Sequence, residues 1–207
     1  MKHFILLVFI FTSFTAKADW VRGSITYHDG RKSTGYVKDF NSDTAPYVEF
    51  KSKMKDSPEK ILSSEIEEVE MKIHDGTLII KYVFTSKINL AGEYKTSKSG
   101  TWLKLLFRGE FDVLGNFSTF INAPEYYINW PDDNNATMIY IQEKNGSIIT
   151  GRRELLVESV SNIFVGKCDE MVEAVKNESF IPHSINEIMR FYVESCRTKP
   201  ELQAKTD

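Results

Sequence analysis

Cysteine and histidine are scarce: the 207 residues contain two cysteines and four histidines. That leaves room for one disulfide and few metal ligands. Signature motifs are missing too. No serine stands in a Gly-x-Ser-x-Gly elbow, no glycine-rich phosphate loop occurs, and there is no His-Glu-x-x-His, so the common routes to hydrolysis, nucleotide binding and zinc peptidase chemistry have no sequence support. No cofactor is expected. Excess positive charge is also lacking. Lysine and arginine number 26 against 29 acids, for a net charge of −3, and such a chain repels nucleic acid. Lysines gather between Lys51 and Lys60, but Asp56 and Glu59 interrupt them and Glu65, Glu67, Glu68 and Glu70 follow. This mixture reads as a solvated face, too even to nominate an acid and base pair.

Long apolar runs are confined to one place. Lys2 opens a run from Phe4 to Phe14, and Ala16-Lys17-Ala18 closes it. About eleven residues make roughly 16 Å of helix, too short for a hydrocarbon core of about 30 Å. The small-x-small ending is the pattern that signal peptidases cleave. Residues 1–18 are therefore expected to be a signal peptide, with the mature chain starting at Asp19, no transmembrane segment in it, and export to a periplasmic, cell-surface or secreted location. Losing Lys2 and Lys17 makes the remainder more acidic still.

Turn signals recur through the next 130 residues. Asp29-Gly30 separates Trp20–Tyr27 from a partner at Thr34–Phe40, and His74-Asp75-Gly76 separates Val69–Ile73 from Thr77–Phe84; such pairs mark tight hairpins. Arg108-Gly109 and Asn145-Gly146 give two more, flanked by Trp102–Phe107 and Glu110–Leu114, and by Met138–Glu143 and Ser147–Thr150. Tyr47–Lys51 reads as a further strand. Ser64 to Glu67 has capping-box spacing for one helical turn, and Thr85–Gly100 has no period and reads as a long loop. Closely spaced turns predict an antiparallel β barrel or roll over residues 19–150.

The period changes after Thr150. Leu155, Leu156, Ser159, Val160, Ile163 and Phe164 form a helical stripe ended by Gly166; Cys168, Met171, Val172 and Val175 form the next. A third starts with Ser184 and Glu187 as a capping box and continues through Ile185, Ile188, Met189, Tyr192 and Cys196. The fold class expected is α+β: the barrel or roll, a bundle of two to three helices over residues 151–198 packed on it, and a polar tail at 199–207. Cys168 and Cys196 fall at meeting ends of an antiparallel helix pair on facing apolar stripes, which predicts a disulfide.

Three short stretches, Gly23-Ser24-Ile25 with Asp29-Gly30, Gly35-Tyr36-Val37 and Phe50-Lys51, followed by Cys168, Phe191-Tyr192 and Cys196, resemble a group of uncharacterised exported bacterial proteins. The resemblance implies a small β domain with a cysteine-containing helical end, and it carries no catalytic residue.

Two constellations offer chemistry. His28-Asp29-Gly30 and His74-Asp75-Gly76 match; side by side they would present two imidazoles and two carboxylates to a metal, the basis for a hydrolase or metal-dependent enzyme. The plainer reading is hairpin chemistry, in which no metal is bound. The stretch from Pro124 to Asn135 brings Tyr126, Tyr127 and Trp130 next to Asn and Asp groups. It is the candidate ligand-binding platform, for a sugar or peptide, unless these aromatics face the core. It is not a calcium loop, because Thr137 stands where the EF-hand turn needs glycine. The expected function is a binding or structural module with an unnamed protein or glycan partner. Sequons at Asn116, Asn135, Asn145 and Asn177 matter only on a glycosylating route.

Overall fold

Alternating β-branched and aromatic residues build the sheet, and where the alternation stops, both faces of a strand are covered. The computed structural model describes residues 20–38, 42–74, 76–89, 91–116, 125–131, 133, 135–141 and 152–197. The expected signal peptide, Asp75, Pro124, Asp132, Asn134, the Asn145-Gly146 turn with the strand expected over Ser147–Thr150, and the tail lie outside them. The strands are β1 (Trp20–Tyr27), β2 (Lys32–Lys38), β3 (Tyr47–Lys51), β4 (Glu59–Leu62), β5 (Ile66–Ile73), β6 (Gly76–Ile88), β7 (Tyr94–Thr96), β8 (Thr101–Arg108), β9 (Asp112–Gly115), β10 (Tyr126–Asn129) and β11 (Asn135–Ile139). The helices are α1 (Arg152–Phe164), α2 (Asp169–Lys176) and α3 (Ile185–Phe191), the last running on into a π turn, Tyr192–Cys196.

The strand order is β11-β10-β9-β8-β6-β5-β1-β2-β3-β4, with β11 returning to pair with β6. Five strands, β6, β8, β9, β10 and β11, thereby close a barrel. The closing pair is parallel, Asn135 opposite Phe84 and Thr137 opposite Ser86, so the expectation of an antiparallel barrel holds for every other pair in the sheet but not for this one. Strands β5-β1-β2-β3-β4 curl away from β6 around a separate core, and β7 pairs with β6.

Strands β6 and β8 form a wall between the two cores. Ile80, on one face of β6, and Trp102, on β8, belong to the first core with Ile25, Val37, Phe50 and Val69. Val83 and Leu103, on the other face, fill the barrel with Leu114, Tyr127 and Ala136. Trp102 donates its indole N–H to Ala45 O at 3.2 Å and Ser63 Oγ at 3.1 Å, which pins the β2–β3 loop across the open side of the first core. The outer face of the barrel meets the helices: Phe111, Val113, Ile128 and Ile139 pack against Leu156, Val160, Phe164, Met171 and Ile188.

Local signals behave as physical chemistry requires in most places. Gly166 adopts φ of 72° and ends α1. Ser184 Oγ accepts the Glu187 N–H at 3.3 Å, while Glu187 Oε2 accepts the His183 N–H at 2.7 Å. At Ser64 the expectation fails: the turn is 3₁₀, spans Ser63–Glu65 and has no side-chain cap, because Glu67 is already drawn into β5. The loop expected over 85–100 is corrected too, since β6 continues to Ile88 and β7 pairs back on it. Cys168 and Cys196 form a disulfide with Cα atoms 5.2 Å apart, joining the start of α2 to the end of the π turn. Among the described residues no helix is long and apolar enough to cross a membrane.

Candidate functional site

A cleft opens where β6 changes partner. Lys81 of β6 still stands opposite Glu68 of β5, and Phe84 already stands opposite Asn135 of β11. At Tyr82 and Val83 neither strand lies along that edge, although the other edge is paired with Trp102 and Thr101 of β8. The fork so formed holds a concavity of about 330 Å³, at the lower end of ligand-site volumes.

Its charged lining is ordered by a part-buried lysine. The Lys81 ammonium lies 2.9 Å from Asp112 Oδ2 and 4.0 Å from Glu67 Oε1, with the Lys81 and Asp112 side chains 12% and 13% exposed. Behind the lining, Arg108 approaches Asp112 Oδ1 at 3.7 Å and pairs with Glu68. Burying an ion pair is costly unless each partner is well satisfied, and Asp112 meets this condition through two cations. Asn129, 7% exposed, donates from Nδ2 to Asp133 O at 3.0 Å and Asn135 O at 3.2 Å, shaping the opposite wall that carries Pro131 and Asp133. Lys81 is committed to Asp112. Glu67, nearly half exposed and only distantly paired, and Asp133 on the rim keep carboxylate oxygens free for a ligand.

His28 lines this cleft, but His74 does not join it. Strands β1 and β5 are antiparallel, with Tyr27 opposite Ile66 and Gly23 opposite Met71. The turn after β1 and the turn after β5 therefore sit at opposite ends of the pair, roughly 25 Å apart at about 3.3 Å per residue. A common metal site is not formed by this arrangement. Among the described residues the one cluster with metal-ligand spacing is Cys168, Glu170 and Cys196, and its sulfurs are spent on the disulfide.

The three aromatics of the 124–135 stretch divide between two cores. Tyr127 points into the barrel, 1% exposed, and its hydroxyl donates to Glu125 Oε2 at 2.7 Å. Burial, then the Glu125 carboxylate, pushes its pKa well above the usual tyrosine value. Lys87 lies 2.7 Å from the same Glu125 oxygen. Tyr126 and Trp130 face the helices. Trp130 packs against Phe111 with ring centres 4.8 Å apart, donates to Ile163 O at 3.2 Å and carries the Lys167 ammonium 4.1 Å over its ring. Tyr192 completes this aromatic group, 4.9 Å from Phe111. Its hydroxyl donates to Glu110 at 2.6 Å, and burial together with that carboxylate pushes its pKa up to about 12. The stretch thus serves packing, with half-buried edges at Tyr126 and Trp130.

Comparison with protein-family models, curated proteins and solved structures finds no match to this chain. The assignment of function therefore rests on the chain's own geometry.

A second concavity, about 580 Å³, lies on the outer face of β5, β1 and β2. Gly23 and Gly35 stand opposite each other on its floor. A Cβ on Gly35 would fall 2.1 Å from Lys51 O and 2.7 Å from the Phe50 ring, so the core ring occupies the space a side chain would need. Arg22 faces Tyr36, and Ser24 lies between Thr34 and Glu70. No sequence signal marks either concavity, since both are assembled from residues distant along the chain.

Proposed function

We propose that the protein is an exported binding module, and that the fork cleft receives the cationic group of a small amine or of a basic peptide side chain. The observation carrying this reading is an excess of carboxylates: Glu67, Asp112 and Asp133 line the cleft against one lysine, Lys81, which Asp112 holds at 2.9 Å and Glu67 meets only at 4.0 Å. Carboxylates preset around a partly enclosed site favour an ammonium or guanidinium, because charge-assisted hydrogen bonds strengthen as water is excluded. His28 adds a ring edge at the rim. Its distance from His74 favours no metal-dependent hydrolase using both turns. The short apolar run from Phe4 to Phe14 with its Ala16-Lys17-Ala18 ending supports an extracytoplasmic address, as does the disulfide, a bond that persists in oxidising compartments. N-terminal sequencing of the mature protein is expected to start at Asp19 or within a residue or two; intact Met1 from a cytosolic fraction would overturn export. Binding is tested by adding spermidine to ¹⁵N-labelled protein. The expected result is saturable movement of the His28, Glu67 and Asp133 amide signals, and movement confined to other surfaces refutes the cleft.

A further inference from the structure

The outer groove on β5, β1 and β2 has a chemistry opposite to that of the cleft. Arg22, Lys32 and Lys72 line it against a single carboxylate, Glu70, on a chain whose net charge is −3. Glu70 is already neutralised, 2.8 Å from Lys72 and 3.5 Å from Lys32. Arg22 has no ion-pair partner among the described residues. The Ser24 hydroxyl is the more telling group: Ser24 is 6% exposed, lies in the groove floor, and makes no side-chain hydrogen bond among the described residues. Buried hydroxyls are almost always hydrogen-bonded, so one without a protein partner on a groove floor is free to bond a polar group that enters the groove. Thr34 and Ser52 add hydroxyls, and Tyr36 adds a half-buried ring beside Arg22.

We propose that this groove binds an acidic polysaccharide, with a sugar carboxylate on the Arg22 fork and sugar hydroxyls on Ser24 and Thr34, across the Tyr36 ring. A planar guanidinium matches a carboxylate through two parallel hydrogen bonds, and an aromatic face offers a sugar ring an apolar surface. A bilayer is the poorer fit, because none of the large exposed apolar side chains, such as Leu62, Ile73 and Phe84, lines the groove. A nucleic acid strand is poorly served by one lining tyrosine, since such sites use successive stacking platforms.

The test uses the mature chain and oligogalacturonate, followed by calorimetry at low and at moderate salt. Saturable binding that weakens with salt is expected. Arg22→Ala is expected to reduce affinity about tenfold or more, the loss of a charge-assisted hydrogen bond, and Ser24→Ala to weaken it without lowering the melting midpoint, because that hydroxyl has no partner to lose. Neutral dextran is expected not to bind. Failure of oligogalacturonate to bind overturns the proposal, as does binding that Arg22→Ala leaves unchanged. Tighter binding of phosphatidylglycerol vesicles or of a single-stranded oligonucleotide at the same residues would replace the polysaccharide with a membrane or a nucleic acid. Glu67→Gln with Asp133→Asn, on the fork cleft, is expected to leave oligogalacturonate affinity intact, so the two sites fail or stand separately.

Discussion

Removing the disulfide by Cys168→Ala with Cys196→Ala is expected to be among the costliest changes outside the barrel. The bond spans 28 positions, and closing a loop of this size constrains the unfolded chain by about 3.5 kcal/mol in the chain-entropy treatment. The native state loses something as well, because Cys168 is 2% exposed within the cluster that contains Met171, Val172 and Tyr192, and truncating a buried sulfur costs a further ~1 kcal/mol. The sum is a large fraction of the roughly 5–15 kcal/mol that holds a typical domain together. At roughly 2–4 °C per kcal/mol for a chain of this length, the melting midpoint falls by about 9–18 °C. The loss is not uniform. The bond fastens the end of the π turn to the start of α2, so hydrogen exchange is expected to rise first over α3 and the π turn and last in β8 and β9. The assay is thermal unfolding followed by circular dichroism, for the oxidised protein, the same protein reduced, and the double variant. A reduced protein that melts within about 2 °C of the oxidised one would refute the reasoning, as would ready labelling of both thiols in the native, unreduced protein.

Lys81→Met leaves the part-buried Asp112 with only the more distant Arg108, and is expected to cost about 1–2 kcal/mol in urea denaturation, the loss of one charge-assisted hydrogen bond, much of it recovered when Asp112→Leu is added; no measurable loss would contradict the pair. Tyr94, Tyr127 and Tyr192 all have raised pKa values, in each case chiefly through burial. A group raised in the folded state keeps its full contribution below the unfolded tyrosine value near 10 and loses it as pH climbs beyond, so stability is expected to fall from about pH 10 upward. The difference titration between wild type and Tyr192→Phe should place the Tyr192 ionisation at about 12, and a value near 10 argues against its bond to Glu110. Gly35→Ala forces a Cβ against Lys51 O and the Phe50 ring and is expected to cost at least about 2 kcal/mol, an overpacking penalty, in the same urea assay; wild-type stability there would show that the two strands are not so close.

An element specified by its neighbours along the chain is legible in the sequence. Asp29-Gly30 makes a hairpin because the residues that set the turn are the turn itself, and Ser184 with Glu187 caps a helix for the same reason. The cysteines can be paired because both lie on helical stripes whose phase is local. Strand β6 is hidden beyond Phe84 because Thr85 and Ser86 are buried polar residues, 4% and 8% exposed, Thr85 donating its backbone N–H to Ser97 Oγ and the Ser86 hydroxyl sharing a hydrogen bond with that of Thr96, and no alternation survives there. Tyr127, Ile128 and Asn129 are all buried because β10 has the barrel on one side and the helices on the other. Tyr127 is buried in the barrel, whereas Tyr126 and Trp130 pack on the helix side and stay partly exposed, a division that follows from the alternation of β10. Glu67 and Glu68 look like members of a solvated acidic run; they meet Lys81 and Arg108 only through strand register, and Asp112 reaches Lys81 across 31 positions. Non-local register builds the cleft, and nothing in a linear pattern encodes it.

The most direct test of the cleft as a binding site is calorimetric titration of spermidine into the mature protein and into the variant carrying Glu67→Gln and Asp133→Asn, at low ionic strength. Saturable one-site binding that the double variant weakens about tenfold or more, as expected when charge-assisted contacts are removed, is the predicted result. No saturable heat, or equal affinity for the two proteins, would contradict it.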